Sequence, residues 1–162
     1  MITGQVIKGK NTAAFLKQVM PALNSAVELA VVRMAIKVQA MAKMKLSGEV
    51  LKVRTGRLRR SITFAIEKQT NRVDAIVGTN VKYAAIHEYG GTIPAKVIMP
   101  VKANALKFQM NGKTVFSKRA MIPAIKMPMR SFLRSSLNAL APEIRSEIDR
   151  AIKIEFEKMP KS

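Results

Sequence analysis

The 162-residue sequence has no cysteine and no tryptophan. Without cysteine, disulfide staples and thiolate metal sites are excluded, and a reducing cytoplasm is compatible with the chain. There is one histidine, His87. Any Ser–His–Asp set would have to use it. His87-Glu88 is not a zinc-binding HExxH pair, because no second histidine exists. The plain reading of His87 is a packing or interface residue beside Tyr89. Neither GxxxxGK[ST] nor GxGxxG is present. Acids are scarce, ten in all, and five of them fall in the last twenty residues. Glu67, Asp74 and Glu88 are scattered, so no carboxylate spacing favours a metal-dependent nuclease. No stretch reaches the roughly 18 uncharged apolar residues of a membrane span. The most apolar region, Ala22 to Leu46, is interrupted by Glu28, Arg33, Lys37 and Lys43. The opening MITGQVIKGK lacks the apolar run of a secretory leader. These absences predict a chain that is not an enzyme, with no catalytic residue, no cofactor, no metal and no membrane partner.

What is present is positive charge. The formal net charge is +19. Residues 143–162 carry five acids (Glu143, Glu147, Asp149, Glu155, Glu157) and five bases (Arg145, Arg150, Lys153, Lys158, Lys161), so the whole excess lies upstream. Such a field attracts polyanions and acidic protein surfaces without saying which. Arg54, Arg57, Arg59 and Arg60 cluster in seven residues. Lys107, Lys113, Lys118 and Arg119 form a second group. These eight are the candidate interface or DNA-facing residues. Arginine and lysine supply non-specific phosphate affinity, but stacking surfaces for bases need aromatics. With two Tyr and six Phe, sequence-specific reading of nucleic acid is not expected. Non-specific DNA binding stays open beside a protein-facing surface. The eleven methionines suit either core filling or adaptable contacts.

With 48% hydrophobic residues, the length suits one domain with a real core. Residues 1–11 read as a flexible arm and 12–158 as a single α+β domain. A helix is expected from Thr12, with Pro21 as a break or new start. Leu23, Val27, Ala30, Met34, Val38 and Met41 recur at steps of three and four, with Ala26, Val31 and Ala35 widening the stripe. A helix this apolar must be covered widely, by its own sheet or by a neighbouring subunit. Ser47-Gly48 ends it. Lys52 to Arg60 reads as a loop or one turn of helix. Ile62, Phe64 and Ile66 alternate, as do Val73, Ala75 and Val77, so a hairpin is expected. Residues 82–89 look helical, closed by Gly90-Gly91. Pro94 and Pro100 bracket an extended segment. Asn111-Gly112 between two apolar runs is a strong hairpin signal, since both turn residues need positive φ. Met121, Met127 and Met129 then fall in a proline-rich linker. Leu133, Leu137, Leu140, Ile144, Ile148, Ile152 and Phe156 form the last helical stripe. Pro142 is expected to kink that helix or start a second one.

Four segments carry a resemblance. They are VRTGRLRRSI at 53–62, VGTNVKYAAIHEYGG at 77–91, KANALKFQMNGKTVFSKRAMIPAIK at 102–126 and MRSFLRSSL at 129–137. In this order they resemble the head–tail joining (neck) and tail-completion proteins of long-tailed phages, close in kind to the minor tail protein called Z. The resemblance covers roughly residues 12–155, and the second segment is its most specific part. Where the family often has proline before Phe-Leu, this chain has Ser131. The resemblance implies an α+β subunit in a homo-oligomeric ring at the upper end of a tail. Its implied partners are other neck and tail proteins, with DNA in the channel as a further contact. The subunit would be made in the host cytoplasm and reside in the virion. The resemblance brings no catalytic residue. It marks Gly56 and Gly78 for backbone geometry and Tyr83 and Tyr89 for packing. Gly90 and Gly91 make a tight turn, and His87, Glu88, Phe132 and Leu133 complete the motif positions.

Overall fold

A sustained apolar period makes the first element. In the computed structural model, which describes residues 10–51, 55–69 and 72–158, helix α1 runs Lys10–Met44. Residues 1–9 of the expected arm lie outside the described residues, and Lys10 and Asn11 already belong to α1. Pro21 sits inside α1 and does not divide it. A proline deprives the carbonyl four residues back of its donor. That carbonyl belongs to Lys17, whose side chain is exposed, so water can replace the lost bond. The helix ends where expected. A π turn covers Lys45–Glu49, with Gly48 at φ 128° and the Val50 N–H donating to the Lys45 carbonyl at 2.9 Å. Ser47 Oγ donates to the Lys43 carbonyl at 2.8 Å.

The contacts of the chain group into two compact units. The first contains α1, α2 (Arg57–Arg60), β1 (Thr63–Gln69), β2 (Arg72–Gly78) and α4 (Leu133–Glu157). β1 and β2 form an antiparallel hairpin in which Phe64 faces Val77, Ile66 faces Ala75 and Lys68 faces Val73. These pairs share one side of the ribbon, which is the side the alternating residues predict. α1 packs on this hairpin and on α4. Ala30, Met34, Ala35, Val38, Ala42 and Leu46 are buried, together with Leu58, Ile62, Phe132, Leu140 and Ala151. Gln39 Nε2 donates to the Ile62 carbonyl at 2.8 Å and ties α1 to the entry of β1.

Pro142 also lies inside one continuous helix, α4, and does not start a second one. The carbonyl it deprives is that of Asn138, again an exposed residue. The stripe of α4 needs correction as well. Leu137 and Phe156 are about half exposed, while Ser136 and Ala151 are buried in the face. The small residues allow close helix approach that larger ones in the stripe would prevent.

By length and composition, Val19–Glu49 could cross a membrane. Three of its charges, however, are paired within the rest of the unit. Glu28 pairs with Lys68 at 2.5 Å, Arg33 with Glu147 at 2.9 Å, and Lys37 with Glu143. Those pairs belong to the helix of a folded unit. The side of α1 away from its neighbours leaves Leu29, Ile36 and Met44 exposed.

The second unit, Lys82–Ser131, contains α3 (Ala84–Tyr89) and six short strands. They are β3 (Gly91–Ile93), β4 (Lys96–Ile98), β5 (Leu106–Met110), β6 (Lys113–Ser117), β7 (Ala120–Ile122) and β8 (Ile125–Met127). β3 pairs with β8, β4 with β7 and β5 with β6, all antiparallel. The pairs are nested, so they are successive stretches of one two-stranded ribbon that runs out to Asn111-Gly112 and returns. The expected linker around Met121 and Met127 is thus its returning strand. Three-residue strands split by Pro123 are too short to show a period of two, and their partners lie about thirty residues upstream. Together the units make an α+β fold with a long N-terminal helix, a C-terminal helix and small antiparallel sheets.

Candidate interaction surface

The ribbon begins at a backbone position suited only to glycine. Gly90 has φ 71° and ψ −173°. An added Cβ there would lie 2.9 Å from the Met129 nitrogen and 3.1 Å from the Met127 carbonyl oxygen. The outgoing and returning chains therefore approach as closely as backbone permits. Hydrogen bonds across it help to close this base. The Arg130 N–H donates to the His87 carbonyl at 2.8 Å, and Ser131 Oγ donates to Glu88 Oε1 at 2.7 Å. Glu88 is buried. His87 meets Tyr83 rather than Tyr89, in an edge-to-face contact with centroids 6.1 Å apart. His87 Nδ1 is buried without a hydrogen-bond partner among the described residues. Tyr89 is exposed.

From the base, Ile93 faces Ile125 and Val97 faces Met121. Two residues separate the strands on each side here, Pro94-Ala95 and Pro123-Ala124, so the register carries through. Both pairs and the Gly91–Met127 pair fall on the same alternation and give one wholly apolar face. Val97, Met121 and Ile125 are 50%, 78% and 44% exposed. The distal hairpin repeats the pattern: Phe108 faces Val115 and Leu106 faces Ser117. Its loop is a two-residue turn with Asn111 at φ 50° and Gly112 at φ 76°, the left-handed pair that the Asn-Gly signal demands.

The distal cations divide between the two sides. Lys107 faces Phe116, and Lys113 faces Met110 on the opposite side of the ribbon. Lys118 and Arg119 occupy the short passage between β6 and β7, where the Arg119 N–H donates to Ser117 Oγ at 3.3 Å. All four are exposed. Between Gly91 and Met127 the chain has Lys96, Lys102, Lys107, Lys113, Lys118, Arg119 and Lys126 and no acid.

The arginine cluster belongs to the other unit. Gly56 caps α2 with φ 68°. Arg57, Arg59 and Arg60 are exposed, and Arg60 Nη2 donates to the Thr55 carbonyl at 3.2 Å. Arg54 lies outside the described residues. At Gly78 the backbone is not left-handed and an added Cβ would meet open space, so the structure gives no geometric reason for glycine there. Phe132 is fully buried at the start of α4, with Leu133 half-buried beside it. Among the described residues no group of three His, Asp or Glu is placed to hold a metal ion.

The features that the residue pattern did not reveal are the apolar ribbon face and the Glu88–Ser131 bond. Gly90-Gly91 and the prolines at 94 and 123 mark the ends and interruptions of the ribbon. Only the pairing shows which residues share a side. Residues 10–155 match the model of the phage virion morphogenesis family. No curated protein matches, and no solved structure does.

Proposed function

The chain belongs to the phage virion morphogenesis family, and from that membership we propose that it is a structural subunit of the neck or tail-completion assembly of a tailed phage. A structural part in the virion follows from the family itself. The finer placement rests on the four segments that resemble neck and tail-completion proteins; the family match itself runs through both compact units and so includes the ribbon. Residues 12–158 then serve as one tail-component module. It works without turnover chemistry or cofactor, by fitting its neighbours. It is made in the host cytoplasm and joins a homo-oligomeric ring in the virion.

The surface suits this role. A helix with Leu29, Ile36 and Met44 exposed, and a ribbon with Val97 and Met121 exposed, have apolar area to bury on assembly. High like charge keeps copies apart until a partner of opposite sign is met. Lys107, Lys113, Lys118 and Arg119 on the ribbon, with Arg54, Arg57, Arg59 and Arg60, are the contact cations in this reading. Gly56, Gly90 and Gly91 shape the turns that present them.

Deletion of the gene tests the role. Electron microscopy of the lysate is expected to show heads and tails that stay unjoined, or tails left unfinished. Normal infectious particles from the deletion would refute it.

A further inference from the structure

Resting on that reading, we propose that the ribbon, residues 91–127, is the docking arm of the subunit and that its occupant is an acidic virion protein offering an apolar groove.

A two-stranded ribbon is marginal in water by itself. Among the described residues of this unit, only Ala84 and Glu88 are buried, and both lie on α3. The ribbon carries an apolar face, Ile93, Val97, Met121 and Ile125, and leaves much of it in solvent. Three of its four methionines, Met99, Met110 and Met121, are 64%, 59% and 78% exposed, and thioethers adapt readily to a partner's surface. Among the described residues each strand pairs along one edge, which leaves the other able to accept a further strand.

Charge decides among the occupants. The arm carries seven cations and no acid. A second copy would meet this arm with net positive charge, each copy carrying +19, so contacts between copies in a ring fall on other surfaces. Three of the five acids of α4 are already paired, and the other two, Asp149 and Glu157, are matched in number by Arg145 and Arg150 of the same helix. Glu143 and Glu147 pair with Lys37 and Arg33 of α1, and Glu155 pairs with Lys158. Duplex DNA would satisfy the cations but leave Val97, Met121 and Ile125 in water. An acidic protein with an apolar groove satisfies both the cations and the apolar face.

The test uses the full chain and unjoined heads and tails purified from a phage lacking the gene. Wild-type protein is expected to co-sediment with one of these parts and restore infectivity to the mixture. Val97→Ser with Met121→Ser, both exposed positions, is expected to weaken co-sedimentation by about tenfold or more. Circular dichroism should show the fold retained. Lys107→Gln, Lys113→Gln and Lys118→Gln together should weaken it further and flatten its dependence on salt. Carbodiimide treatment should join arm lysines to aspartate or glutamate of a different virion protein, read by mass spectrometry. Amide links to a second copy of this chain would overturn the proposal. So would undiminished binding by the Val97/Met121 variant, or loss confined to duplex DNA binding. If the variants restore infectivity as well as wild type does, the docking arm is wrong and the neck or tail role stands. If wild-type protein neither binds nor restores infectivity, that role fails and the proposal falls with it.

Discussion

Glu88 and Ser131 lie 43 residues apart in the sequence, and the Ser131 hydroxyl donates to Glu88 Oε1 at 2.7 Å. The bond joins the last turn of α3 to the chain that has just left β8. It helps to close the base of the ribbon. The Ser131 hydroxyl gives the buried carboxylate a donor.

Ser131→Ala should therefore lower stability. Removing a donor from a buried carboxylate costs about 1–3 kcal/mol. Urea denaturation of the two proteins measures the difference. Equal midpoints would show that the bond contributes nothing.

The glycines should rank by backbone geometry. Gly90→Ala combines a left-handed φ with a Cβ 2.9 Å from backbone nitrogen, and should cost more than about 2 kcal/mol. Gly112→Ala keeps a left-handed φ in open space and should cost about 1 kcal/mol. Gly78→Ala meets neither obstacle and should be neutral or stabilising by about 0.5 kcal/mol. Thermal melts of the three variants check the order.

Phe132→Ala should be the most damaging single truncation in the first unit. Phe132 has no exposed surface, and emptying such a site costs about 3–5 kcal/mol. Leu137→Ala on the same helix, half exposed, should cost well under half as much. Comparable losses at both positions would contradict the assigned face of α4.

The ion pairs between α1 and α4 should matter little to stability. Arg33 and Glu147 are 59% and 23% exposed in their side chains. A double-mutant cycle should give a coupling of about 0.2–1 kcal/mol, shrinking as salt is added. A larger, salt-independent coupling would show a pair shielded from solvent.

How far the fold could be read in advance depended on how local its signals were. Asn111-Gly112 declares its own turn, because positive φ is demanded at both positions. Ile62, Phe64 and Ile66 alternate long enough to show a strand, and Ser47-Gly48 marks the end of α1. Neither Pro21 nor Pro142 divides its helix, since a lost helix bond is mild where the deprived carbonyl belongs to an exposed residue. β7 and β8 were illegible for a different reason. Three residues on either side of Pro123 carry no period, and their strand identity comes from partners far upstream. The basic residues at the ribbon tip were visible as charge. The apolar face beside them was not, because it exists only once Val97 is set against Met121.

The ribbon's two halves differ in how their strands are connected. Seven residues, 99–105, separate β4 from β5, whereas two, Lys118 and Arg119, separate β6 from β7. The outgoing side thus holds five spare residues. The tip ladder takes its alignment from the Asn-Gly turn and the base ladder from the glycine close approach, so neither dictates the other. Slack of this kind works as an expansion joint. Lengthening or trimming 99–105 would alter how far and at what angle the tip projects while leaving both ladders in place. A lineage could thereby refit the arm to a new neighbour without rebuilding its scaffold.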